Sequence, residues 1–194
     1  MAKGVNQNDL NIAVLSNKQI KKQAFEIAQS KLEKAKNELI NDFGSHSVSR
    51  EIKAGPSSTN ISGTLGGYGN LFSFIGFDAG NNPVDLWIAF LKNKIQIKNK
   101  NPKTSESGDK ILFEFDVNGV SDADLTANAQ MPWELGRSWI KSIEQGISGF
   151  SFYISKKLGR SGGGIQADNK VRSGQYQRKQ YWSSMWKKFL IDLK

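Results

Sequence analysis

Five carboxylates stand close together in the chain: Asp109, Glu114, Asp116, Asp122 and Asp124. Two such groups brought face to face could act as a general acid and base, or hold a magnesium ion. Glu114 and Asp116 share the outer side of an expected strand, which is equally how a solvated face is built. His46, set among Ser45, Ser47 and Ser49, is the only histidine. A serine–histidine relay therefore has one candidate base, and a multi-histidine metal centre has no second ligand. The absence of cysteine removes disulfides, thiolate metal sites, iron–sulfur clusters and a cysteine nucleophile. The run Ser62-Gly63-Thr64-Leu65-Gly66-Gly67-Tyr68-Gly69-Asn70 invites comparison with phosphate-binding loops. Those end in Gly-Lys-Ser/Thr at a helix start, where amides and an ammonium group meet the anion. No lysine follows here, and dinucleotide spacing is absent. The run reads as a contact loop, with Thr64, Leu65, Tyr68 and Asn70 as its contact residues. The expectation is a chain with no catalytic residue, no cofactor and no metal.

Charge points to a second region. Of 27 Lys+Arg and 18 Asp+Glu, residues 1–155 carry 17 and 16, while residues 156–194 carry ten and two, Asp168 and Asp192. A nearly neutral body thus bears a basic arm containing Lys156, Lys157, Arg160, Lys170, Arg172, Arg178 and Lys179. Such a segment suits a polyanion or an acidic protein surface, and it is also how a solubilising tail is composed. Beyond it, Tyr181, Trp182, Met185, Trp186, Phe189 and Leu193 fall on one side of a terminal helix. Cations with aromatic rings can follow single-stranded nucleic acid, and a basic helix with tryptophan can lie on a membrane. The same helix can dock in a groove on another subunit, or return to its own core. Two tryptophans one turn apart favour a groove on a partner, so these six residues are the expected partner interface.

The elements that position these groups follow from periodicity. Ser16 and Gln19 form an expected capping box, and Ile20, Ala24, Ile27, Ala28, Leu32, Ala35 and Leu39 make one apolar stripe over about 17–43, closed by Gly44. Val48–Ala54 and Leu71–Phe77 read as strands. Asn82 and Pro83 open a short helix with Leu86, Trp87, Phe90 and Leu91 inward. Lys94–Lys98 and Lys110–Asn118 form an expected hairpin whose tip is Asn99–Gly108. Asp122–Gln130 is ambiguous. Pro132 opens a helix carrying Leu135, Trp139 and Ile143, ended by Gly146, and Gly149–Ser155 is a last strand. The fold class is α+β: a long N-terminal amphipathic helix packed on an antiparallel sheet, with an extended basic C-terminal arm ending in a helix. Domain limits are 1–155 for the body and 156–194 for the arm, so truncation near 156 is expected to leave a folded monomer. No apolar run approaches the roughly 20 residues a bilayer span needs, and MAKGVNQNDL has no apolar signal region. A cytoplasmic site of synthesis, with no membrane partner, is the expectation.

The order of the long helix, Val48–Gly55, the Asn60–Gly69 loop, Leu71–Phe77 and the Pro83 helix resembles the neck and tail-completion (head–tail connector) proteins of tailed bacteriophages. Their Thr-Gly-Asn-Leu-type loop corresponds to Ser62-Gly63-Thr64-Leu65 through Gly69-Asn70-Leu71. The likeness is one of pattern, spans roughly residues 20–155 and includes no catalytic motif; the longer glycine loop and the aromatic tail depart from it. It implies a non-enzymatic virion subunit, assembled in the host cytoplasm as a ring of identical copies between portal or adaptor and tail tube or terminator. Contact with packaged DNA is open to the same basic arm. The alternative is a small nucleic-acid-binding protein that grips phosphates with that arm.

Overall fold

Asn17 sets where the main helix begins. The computed structural model describes residues 7–66, 69–107, 110–147 and 176–194. A first helix α1 (Gln7–Ser16) runs into α2 (Lys18–Ser45), and between them the Asn17 side chain accepts the backbone N–H groups of Gln19 at 2.8 Å and Ile20 at 3.4 Å. The cap is therefore Asn17 and not Ser16, and the helix runs through Gly44 to a stop at His46. Only its second half is buried, through Leu32, Ala35, Lys36, Leu39 and Phe43. Lys36 is tolerated on that face because its Nζ meets Glu33 at 2.7 Å and points at the Ile95 carbonyl closing a neighbouring helix.

Two expected strands are helices. Residues Ser47–Lys53 form α3, and Val48, Ser49, Glu51 and Ile52 are buried on it at helical spacing. Leu71–Ile75 form α4, opened by the Asn70 side chain on Ser73 N and closed by Gly76 at φ 86°. That left-handed position is one glycine occupies without strain. A 3-10 turn (Gly55–Ser57) separates the two where Gly-Pro stands. The helix α5 (Pro83–Lys94) begins as expected, with Asn82 as cap and Asp85 in the first turn.

Among the described residues the chain is mixed helix and sheet, with eight helices and two small antiparallel pairs. Among the described residues α2 packs mainly on α1, α3, α5 and the terminal helix, in place of the single sheet the sequence suggests. One pair is β1 (Lys103–Ser107) with β2 (Lys110–Glu114), in the register Lys103↔Glu114 to Ser107↔Lys110, and its base continues into an Ile97↔Val117 bridge. Much of the supposed tip is thus strand. Pro102, which cannot donate to a ladder, stands just before it. The ambiguous stretch is α6 (Asp122–Asn128), opened by a Ser121–Asp124 capping box. The expected Pro132 helix is a tight hairpin, β3 (Gln130–Met131) and β4 (Glu134–Ser138), with Pro132 and Trp133 at its turn. Leu135 is 88% exposed on it. Helix α7 starts only at Trp139 and ends at Gly146, as expected for that glycine. The strand expected at Gly149–Ser155 lies outside the described residues.

The last helix, α8 (Trp182–Asp192), closes the core. Phe43 of α2, Trp87 of α5 and Trp139 of α7 line a trough that receives Tyr181 and Trp182. Centroids lie 5.1 Å apart for Phe43–Tyr181 and 5.4 Å for the edge-on Trp87–Trp182 pair. Trp182, Trp186 and Phe189 stack in sequence along the helix. The Trp87 indole N–H is buried with no acceptor among the described residues, a cost of about 1–3 kcal/mol that the surrounding ring packing offsets. Removing one ring should therefore be severe. Trp182→Ala is expected to destabilise the protein by about 3–5 kcal/mol, measured by urea unfolding. Chains ending at residue 156 or 175 are expected to lose cooperative unfolding, in place of the folded monomer the sequence suggests.

Candidate functional site

The described C-terminal segment is bound to the 64–65 loop and to α2, α3, α4, α5 and α7. Tyr176 bridges Leu65 in antiparallel fashion, and Gln177 N donates to the Thr64 carbonyl at 2.7 Å. The Tyr176 hydroxyl donates to Ile143 O at 3.0 Å, and its ring lies 5.9 Å from Phe74, nearly parallel. Burial, then the neighbouring Glu51 carboxylate, push this phenol above its ordinary range, so it stays a neutral donor. Further on, the fully buried Tyr181 shares a 2.5 Å hydrogen bond with Ser49 Oγ. Burial raises the Tyr181 phenol well above the usual value; Ser49 opposes that shift and Glu144 adds to it.

Helix α8 has no side-chain cap of its own, since Tyr181 occupies the cap position. Glu144 of α7 supplies it. One carboxylate oxygen accepts Tyr181 N at 2.9 Å, and Ser183 N and Ser183 Oγ both at 2.8 Å. A carboxylate suits the positive end of a helix, so the docking contact is also a cap. Lys188 pairs with Asp42 of α2 at 2.7 Å in an exposed setting.

The six residues expected to meet another polypeptide are thus turned onto their own body. Tyr181, Trp182, Met185 and Phe189 are buried in it, while Trp186 and Leu193 are half-buried at its rim. The reason is the aromatic trough, against which Tyr181 and Trp182 pack their rings. Most of the expected contact-loop residues are likewise turned inward. Thr64, Leu65 and Asn70 are buried, and Tyr68 lies outside the described residues. The loop is pinned from below by the buried Glu51 carboxylate, which accepts Ser62 N at 2.6 Å and Leu71 N at 2.7 Å. Asn70 Nδ2 donates to the carbonyls of Pro56 and Ser58, and Asn60 Nδ2 donates to that of Leu65. Of the basic-arm residues, Lys156, Lys157, Arg160, Lys170 and Arg172 lie outside the described residues. Arg178 runs beside Gly146, and Lys179 is close enough to His46 to act on its charge.

The acids do not converge. Asp116 pairs with Lys103 at 2.9 Å, Asp124 with Lys94 and Asp122 with Lys141, each at 2.8 Å, and Glu114 is exposed. Lys94, helped by the N–H of Ser121, holds the Asp124 carboxyl down to about 2. Asp109 lies outside the described residues. Among those described, no three histidine, aspartate or glutamate side chains are grouped to hold a metal, and no helix is long and apolar enough to cross a membrane. His46 joins α2 to α3: its Nδ1 accepts Val48 N at 3.3 Å, and its ring lies 4.9 Å from that of Tyr181.

What the sequence missed is a flange at the far end of α2. Residues 18–31 of that helix include no buried side chain, and Ile27 is 70% exposed. At about 1.5 Å per residue the overhang is about 20 Å long. It leans on the base of the β1–β2 hairpin through Phe25 and Phe115, 5.9 Å apart. The hairpin has no third strand among the described residues; Ile111, Phe113 and Phe115 are half-buried, and Leu112 is 44% exposed. The available signal was the apolar stripe itself, whose first half, Ile20, Ala24 and Ala28, is only half-buried among the described residues. No known family model, characterised protein or solved structure matches this chain significantly.

Two outcomes follow from the pinned parts. Glu51→Gln turns an amide N–H toward a backbone N–H, so a loss of about 1–3 kcal/mol in unfolding free energy is expected. For His46, burial lowers the folded value below 6.5, partly countered by the Gln180 carbonyl, with Lys179 adding to the lowering. The unfolded chain then binds the proton first, so this contribution is complete above 6.5 and is lost as pH falls through the folded value. His46→Asn keeps an acceptor for Val48 N. Its Tm is expected to fall less than the wild-type Tm between about pH 7.5 and 5.5, the histidine range.

Proposed function

We propose that this chain is a structural subunit, built into a larger assembly by its flange, and that it belongs to the neck or tail-completion ring of a tailed-phage virion. The observation that carries the first part is the unfinished hairpin. A two-stranded hairpin is marginally stable alone in water, and it gains most from a further strand or a covering face. Here Ile111, Phe113 and Phe115 are only half covered, both strand edges lack a partner among the described residues, and Ile27 and Leu112 are exposed nearby. A neighbouring copy that covers this flange with a different part of its surface makes a heterologous contact, and such contacts close into rings. The separate pairing of Asp116, Asp122 and Asp124 with three different lysines supports a building block over a catalyst.

The place between portal and tail tube rests on the resemblance in element order. Its long helix and glycine loop are present, while the strand that follows the loop in that family is the short helix α4 here. The test is the mass of the purified protein across concentration. Species at multiples of 21.5 kDa are expected for the wild type, and Ile111→Lys/Phe113→Lys should need at least about tenfold more protein to reach them, since about 1.4 kcal/mol corresponds to that factor. A wild-type mass that stays at 21.5 kDa throughout overturns the reading.

A further inference from the structure

We propose that the groove between the first turns of α2 and the 98–103 segment binds single-stranded nucleic acid, with its lysines on the phosphates and Phe25 against a base. The groove has a volume of about 320 Å3 and is lined by Lys18, Lys21, Lys22, Phe25, Lys100 and Asn101. No carboxylate lines it. Lys18, Lys21 and Lys100 have no ion-pair partner among the described residues, and Lys22 reaches Glu26 only at 3.8 Å, with both side chains largely exposed. Three of these cations also stand at the amino end of a helix. Aligned peptide dipoles already make that end positive, and α2 has no acidic residue in its first turn to offset them. Like charges gathered this way repel one another, and a bound polyanion is what relieves them.

The opposite wall is fixed. Lys98 N donates to Asp116 O and Asn118 N to Gln96 O, both at 2.8 Å, and the Asn99 side chain accepts Asn101 N at 2.9 Å in a turn that presents Lys100. Phe25 is half-buried in the groove, its ring tilted 59° to that of Phe115. An aromatic face set among cations is the pattern that holds an unpaired base while flanking phosphates are neutralised. A lipid surface would need exposed apolar groups, and Phe25 here is half-buried while Lys18, Lys22 and Lys100 are exposed. The proposal stands apart from the ring reading, because it concerns the lysine side of the flange and not the apolar face of the hairpin.

The experiment is a fluorescence-anisotropy titration with labelled oligothymidine of about 20 nucleotides, long enough for several binding units. It is run between about 50 and 200 mM salt, where counterion release is readily seen. Each lysine-neutralised phosphate contributes about 0.7 to the log–log salt slope for a single strand, so Lys18→Gln/Lys21→Gln/Lys22→Gln/Lys100→Gln should flatten it by about 2 to 3. Phe25→Leu should weaken binding about five- to hundredfold at fixed salt and leave the slope alone. Lys187→Gln/Lys194→Gln, on the terminal helix and just beyond its end, should change neither. An unchanged slope in the fourfold variant overturns the proposal, as does wild-type protein that binds phosphatidylserine vesicles and not the oligonucleotide. Wild-type affinity in Phe25→Leu overturns the stacking role.

Discussion

The core cannot close until Tyr181 and Trp182 enter it. Phe43, Trp87 and Trp139 come from three different helices, and Tyr181 and Trp182 pack their rings against all three. Two aromatic residues bury about 150–250 Å2 each. At about 25 cal/mol per Å2 they contribute roughly 7–12 kcal/mol before entropy, which is the order of a whole domain's net stability of about 5–15. The segment that looks like an appendage in composition is therefore an internal part. Lys187 and Lys188 of its helix stay at the surface while Trp182 and Phe189 do the packing, the division expected of an amphipathic helix.

Closing the core this way puts polar groups inside, and each is answered by a partner placed in advance. Ser49 and Glu51 sit two residues apart on α3, so they aim at different neighbours: Ser49 at Tyr181, Glu51 at the two ends of the glycine loop. A buried carboxylate is costly unless hydrogen-bonded, and charged acceptors make the stronger bonds with backbone N–H groups. Glu144 repeats the device at α8. The short helix α3 thereby couples the loop to the terminal segment, because both hang on side chains of one turn that point to different sides.

Much of the architecture was legible, and the misses share causes. The stripe from Ile20 to Leu39, Asn82-Pro83 and Gly146 all marked their elements, since each rests on a long period or a cap with a definite mechanism. Val48–Ala54 and Leu71–Phe77 were too short for periodicity to separate strand from helix. Asn70 and Gly76 flank the second as cap and stop, a signal that outweighs its aromatic content. Pro132 opened a turn and not a helix, and the four-residue spacing of Leu135 and Trp139 was coincidental, as the exposure of Leu135 shows. At the site, one helix face reads as greasy in either case. Whether its cover is self or partner depends on the trough, which is assembled from three distant stretches and leaves no local trace.

Because the stabilising rings lie so late in the chain, synthesis and folding are coupled in an unusual order. A nascent polypeptide interrupted between Trp139 and Tyr176 presents Phe43, Trp87 and Trp139 without their cover, together with a loop whose Tyr176 anchor is missing. Such fragments carry an open greasy cleft that chaperones and proteases read as incomplete. Burial of Tyr181 and Trp182 thus works as a built-in check that translation has reached the far end of the body before the product becomes durable.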